Sequence, residues 1–134
     1  MTQEQKNLLL KDLCSRLPYG VKVQSYSYED DIETVETLYN IDSDGYMSTL
    51  ECDTLKNITK PYLFPLSSMT EEQKEELNNI FDLDVEIAIT HIKNDTPNYF
   101  TGLNRLNWFI KNHFDIYGLI PMGLAEDATG LNIY

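Results

Sequence analysis

Residues Asn40-Ile41-Asp42-Ser43-Asp44-Gly45-Tyr46-Met47-Ser48-Thr49-Leu50-Glu51 have the spacing of a calcium-binding EF-hand loop. Asn40, Asp42, Asp44, Ser48 and Glu51 stand at the first, third, fifth, ninth and twelfth places, and Gly45 at the sixth. A hard cation needs several oxygens converging on one point, and this spacing wraps the chain to supply them. Three features weigh against a metal. Asn40 in the first place removes a charge, and no second such loop exists in the chain, although these loops normally pack in pairs. The approach segment Thr34-Val35-Glu36-Thr37 favours a strand where the motif requires an incoming helix. Ser43-Asp44-Gly45 alone reads as a hairpin turn, because Asp-Gly tolerates the positive φ of tight hairpins. The expectation is an acidic hairpin with no metal and no cofactor. Calcium binding by Asn40, Asp42, Asp44, Ser48 and Glu51 is the alternative.

Other chemistry finds little support. Gly118 and Gly123 have the spacing of a phosphate loop, but Leu124 and Ala125 stand where Lys and Ser or Thr are required. No Gly-x-Ser-x-Gly, His-Glu-x-x-His or dinucleotide fingerprint occurs. His113 falls near the end of a helix, where capping or packing against the last carbonyls is the ordinary role. His91 lies on the polar phase of an expected strand. Cys14 and Cys52 form no Cys-x-x-Cys pair or His/Cys cluster and read as buried free thiols of a reducing compartment. No catalytic residue is expected, and the chain reads as a non-enzyme.

Charge narrows the partners. Of the net charge of −12, residues 29–86 carry sixteen acidic side chains against Lys56, Lys60 and Lys74, so the excess lies in the middle of the chain. Phosphate backbones and anionic bilayers require the opposite sign, so neither nucleic acid nor a membrane surface is expected as a direct ligand. A solvated face that keeps the protein soluble explains the charge simply; an acidic patch for a basic protein partner is the sharper reading. The polar start, Met1-Thr2-Gln3-Glu4-Gln5, lacks the pattern of a signal peptide, and a cytoplasmic location is expected.

The elements that must position these groups begin with a helix. Thr2 and Gln5 form a capping box, Leu9, Leu10, Leu13 and Leu17 make an apolar stripe, and Pro18 and Gly20 stop it. Residues 20 to about 51 read as a β-meander with turns at Glu29-Asp30-Asp31 and Ser43-Asp44-Gly45. Lys60–Pro65 is a fourth extended piece, limited by two prolines to an edge. Thr70 and Gln73 cap a second helix with Leu77, Ile80 and Phe81 inward. Residues 84–92 favour a strand, and a third helix runs from about Leu103 to His113 with Leu103, Leu106, Phe109, Ile110 and Phe114 inward. The tail from Gly118 is expected to be extended and packed. The 134 residues thus predict one α+β domain, a small curled antiparallel sheet or partial barrel of about four to five strands with three helices.

Three stretches carry a resemblance: Lys11-Asp12-Leu13-Cys14-Ser15-Arg16-Leu17-Pro18-Tyr19-Gly20-Val21 within Leu8 to Val21, Lys60-Pro61-Tyr62-Leu63-Phe64-Pro65-Leu66-Ser67-Ser68-Met69-Thr70-Glu71-Glu72, and Asn107-Trp108-Phe109-Ile110-Lys111-Asn112-His113-Phe114-Asp115-Ile116-Tyr117-Gly118-Leu119-Ile120. On these the chain resembles small uncharacterised proteins encoded in prophages and mobile elements of gut Bacteroidetes bacteria. The resemblance implies a bacterial, phage-associated accessory role. This chain departs from that pattern at Phe64 and Tyr117, where a basic residue is usual. Read as physics, the three stretches are junctions between elements. The expected function is a non-enzymatic accessory or protein-interaction protein acting through an acidic surface.

Overall fold

A computed structural model of the chain describes residues 1–27, 32–44, 47–49, 60–81 and 106–134. Helix α1 (Gln3–Arg16) opens at Thr2, whose hydroxyl accepts from the Gln5 amide at 3.1 Å while the Gln5 side chain accepts from the Thr2 amide at 2.9 Å. This reciprocal cap satisfies two backbone donors that the first turn cannot use. Leu9 and Leu13 are fully buried, and Leu10 and Leu17 are half-buried beside them. Pro18 has no amide with which to continue the helix, so the chain tightens into a single 3₁₀ turn, Leu17–Tyr19. Gly20 closes that turn at φ +68°, a left-handed conformation that a side chain would oppose.

The meander forms as the alternation predicts. Strands β1 (Lys22–Ser27), β2 (Ile32–Ile41) and β3 (Met47–Thr49) make an antiparallel sheet in the order β1-β2-β3. Val23 pairs with Glu36 and Leu38 with Thr49, and the register shifts between Leu38 and Asn40. Val21, Val23, Leu38 and Met47 turn inward against Leu9 and Leu13 of α1. Leu63, Leu119, Leu124 and Ala125 complete this first core. Each buried leucine contributes roughly 2 kcal/mol by its removal from water.

The fourth extended piece departs from expectation. Strand β4 (Tyr62–Leu63) is not a further strand of the meander; it pairs in parallel with β5 (Glu126–Asp127) to form a separate two-stranded sheet. Pro61 and Pro65 supply no amides, which leaves only a short ladder: Glu126 donates to the Pro61 carbonyl and Ala128 to Leu63, both at 2.8 Å. The two sheets touch where the Gln24 amide meets the Lys60 carbonyl at 2.9 Å. No barrel closes among the described residues. The architecture of the described residues is α+β, with a three-stranded antiparallel sheet, a two-stranded parallel one and three helices.

Helix α2 (Glu71–Phe81) begins at the predicted box, with the Thr70 hydroxyl accepting from the Gln73 amide at 3.2 Å and the Gln73 side chain accepting from Thr70 at 3.0 Å. Helix α3 covers 106–111 of the described residues. Met69, Leu77, Trp108, Phe109, Ile110, Phe114 and Ile116 form a second core, and Tyr117 packs against both cores. The tail is packed, as expected, but built of turns: the Gly123 amide donates to Ile120 and the Leu124 amide to Leu119, with Gly123 at φ +72°. The strand expected over 84–92 lies outside the described residues. No helix among the described residues is long and apolar enough to cross a membrane.

Candidate functional site

Asp12 and Arg16 lie one helical turn apart on the stripe that carries Leu9 and Leu13, and both are fully buried. The guanidinium grips the carboxylate with two hydrogen bonds, Nε to Oδ2 at 2.7 Å and Nη2 to Oδ1 at 2.8 Å. Nη2 also donates to the Phe114 carbonyl at 2.6 Å, which ties α1 to the end of α3. Burial pushes the Asp12 carboxyl above its ordinary value, and the hydrogen bond and charge of Arg16 oppose that shift. Arg16 Nη1 and His113 Nδ1 are buried with no hydrogen-bond partner among the described residues.

Phe114 is held in place by an unusual helix end. The Phe114 amide donates to Phe109 and the His113 amide to Ile110, both at 3.0 Å, with His113 at φ +62°. This is a Schellman closure with histidine in the left-handed position that glycine usually takes. The Phe109 and Phe114 rings meet edge to face at 6.3 Å, the hydrophobic contact that accompanies such a closure. His113 falls at its helix end, as expected, but it closes the helix through its backbone, and the imidazole turns elsewhere. It stacks on Tyr134 with centroids 3.6 Å apart and planes 14° from parallel. Burial, then the charges of Arg16 and Lys22, lower its pKa to about 4, so it is neutral at pH 7.

Segment 61–64 is gripped on two sides. Beyond its pairing with β5, the Phe64 amide donates to His113 and the Phe64 carbonyl accepts from Asp115, both at 2.9 Å. The Asp115 carboxylate then accepts the Leu119 and Ile120 amides at 2.8 and 2.9 Å, closing the turn that follows. On the side facing β1, the Tyr134 hydroxyl accepts from the Lys22 amide at 2.9 Å and donates to the Tyr62 carbonyl at 2.7 Å. Tyr134 as a whole keeps 41% of its surface exposed, yet burial around the hydroxyl pushes its ionisation up to about 12. Arg16, Phe64, His113 and Phe114 thus bring together the three stretches on which the family resemblance rests.

Beside this junction lies a cleft of about 240 Å³. Phe64 and Phe114 form its apolar part, and Ser68, Thr70, Gln73 and Thr129 bring polar groups to it. None of the described lining residues is charged.

The five oxygen-bearing residues of the EF-hand spacing are placed differently. Asn40 lies in β2 and faces Ser48 of β3 across the antiparallel pair. Between the strands the Asp42 carboxylate accepts from the Asp44 amide at 2.9 Å, an Asx turn. The approach is a strand, so the described part is strand–turn–strand rather than the helix–loop–helix that places EF-hand oxygens around a cation. Glu51 and Gly45 lie outside the described residues. Among the described residues no group of three or more His, Cys, Asp or Glu side chains could hold a metal ion.

Cys14 corrects an expectation: its thiol is exposed, because the buried stripe runs through positions 9, 12, 13 and 16 and position 14 points away. Cys52 and His91 lie outside the described residues. On α2, Glu71, Glu72 and Glu75 are exposed, and Lys74 bridges to Glu71 at 3.0 Å on the open surface. The buried Asp12–Arg16 pair went unnoticed in the sequence although a signal was present, since both fall on the leucine stripe. Tyr134 gave no such signal.

Comparison with protein-family models, with curated proteins and with solved structures returns no match.

Proposed function

We propose that this chain is a non-enzymatic accessory protein of a bacterial prophage or mobile element, and that it acts by binding a basic protein partner. The observation that carries this reading is the exposed acidic face of α2. Glu71, Glu72 and Glu75 stand in its first turns, and Lys74 is the one basic residue of the helix. Such a face attracts positive charge and repels phosphate backbones and anionic bilayers. Among the described residues, the buried groups that could run acid–base chemistry hold other partners. Asp12 and Arg16 hold each other, Asp115 closes a turn, and His113 is stacked on Tyr134. A cytoplasmic setting without a cofactor fits this role.

The test is capture from bacterial lysate on immobilised protein, run beside the charge-reversed variant Glu71→Lys/Glu72→Lys/Glu75→Lys. The expected result is a basic protein retained by the native chain, released as salt rises from about 0.1 to 0.5 M and absent from the variant. Equal retention by both would remove the acidic face from the reading. An empty native column would remove protein binding altogether.

A further inference from the structure

We infer that the cleft between Phe64 and Thr129 is a binding site for a neutral monosaccharide. Among the described residues its lining comes from four separate places in the chain: the end of β4, the 3₁₀ turn Leu66–Ser68 with the start of α2, the exit of α3, and the turn after β5. The volume of about 240 Å³ exceeds the roughly 150 Å³ of an apolar cavity that accepts benzene, so one substituted six-membered ring fits.

The chemistry of the walls selects the class. Among the described lining residues an anion finds no Lys, Arg or His, and a cation finds no carboxylate. The polar groups keep capacity to spare. Gln73 uses its side-chain oxygen on the Thr70 amide, which leaves the amide nitrogen with no acceptor among the described residues. The Thr70 oxygen accepts from Gln73, which leaves its proton to donate. Ser68 donates to the Pro65 carbonyl and retains its lone pairs. With Thr129, the cleft offers donors and acceptors suited to a ligand rich in hydroxyl groups.

Phe114 is buried, and half-buried Phe64 lies tilted against Phe114 at 6.4 Å and Tyr134 at 5.8 Å, so the described rings form no parallel pair for a flat base to sit between. A sugar needs only a patch on which to rest its C–H face. Ligand pockets of this kind pair an apolar floor with a few polar groups that fix orientation.

Trp108 supplies a reporter, because its ring stacks on Phe114 at 5.9 Å. Titration with D-glucose, D-galactose and D-mannose should change Trp108 fluorescence and move the amide resonances of Thr70, Gln73 and Thr129 in a saturable way. A dissociation constant on the order of 1 mM is expected for at least one sugar. Gln73→Glu keeps an oxygen for the Thr70 amide and removes the donor; Thr129→Val removes a hydroxyl at constant volume. Each should weaken binding at least fivefold with the thermal midpoint unchanged. Shifts that stay linear with all three sugars, or binding that both variants keep, would overturn the site. So would saturation by adenosine or inorganic phosphate with no response to sugars.

Discussion

Lys22 and Tyr62 stand opposite each other, but their rung is completed by a side chain. Gln24 bonds Lys60 directly, and the next pair in the same register is Lys22 with Tyr62. There the strands have parted, and the Tyr134 hydroxyl fills the gap by accepting a hydrogen bond from the Lys22 amide and donating one to the Tyr62 carbonyl. Tyr134→Phe deletes both bonds while keeping the ring stack on His113. The expected cost is about 1–2 kcal/mol in urea unfolding, with faster hydrogen exchange at the Lys22 amide. An unchanged midpoint and exchange rate would show that the hydroxyl is not part of the ladder.

His113 divides into two separable effects. Its left-handed backbone is unfavourable by roughly 1 kcal/mol for any residue with a Cβ, and its ring contact with Tyr134 returns a similar amount. His113→Ala keeps the strain and loses the stack, so it should destabilise by about 1–2 kcal/mol. His113→Gly loses both and should be the more stable of the two variants by about 1 kcal/mol. Paired thermal melts decide the order.

The same residue sets a pH response. Its folded pKa, about 4, lies below the ordinary histidine value of 6.5, so the unfolded chain binds the proton more readily. Stability from this group is complete above about 6.5, is lost as pH falls towards 4, and falls no further below that. The His113 ring resonances should titrate near 4, and His113→Gln should flatten the slope of stability between those two pH values.

The buried pair predicts an asymmetry. Arg16→Met leaves Asp12 buried without its partner and removes the donor to Phe114, at an expected cost of about 3–5 kcal/mol. Arg16→Met combined with Asp12→Leu should recover most of that loss. If the double variant is as unstable as the single one, the bond to the Phe114 carbonyl carries the effect.

For the 42–44 turn the outcome is a hairpin response. Asp42→Ala removes the acceptor of the Asp44 amide and should cost about 0.5–1 kcal/mol. Millimolar calcium should leave the midpoint of the native chain unmoved in calorimetry. Saturable heat that disappears with Asp42→Ala and Glu51→Ala would instead make the loop a metal site.

What the sequence made legible is what local physics decides. Both capping boxes, the leucine stripe, the alternation of β1 to β3 and the buried face of α3 each depend on residues a few positions apart. The parallel β4–β5 pair was not legible, because its partners lie 64 positions apart and two residues of ladder leave no periodic trace. Asp12 and Arg16 were visible in position but not in burial, which depends on Phe114 arriving 98 residues later to accept the second bond. The cleft is assembled from four such meetings, none of which changes the local pattern of the residues that line it.

The rung at Tyr134 also has a place in time. The hydroxyl that joins Lys22 to Tyr62 belongs to a residue 72 positions beyond Tyr62. At a synthesis rate of 5–20 residues per second, it follows Tyr62 by roughly 4–14 s and Lys22 by roughly 6–22 s. During that interval the first sheet, its helix and the second-sheet segment have all been made, and the seam between the sheets is still open at this point. The contact that closes it waits for a residue made long after both of the residues it joins.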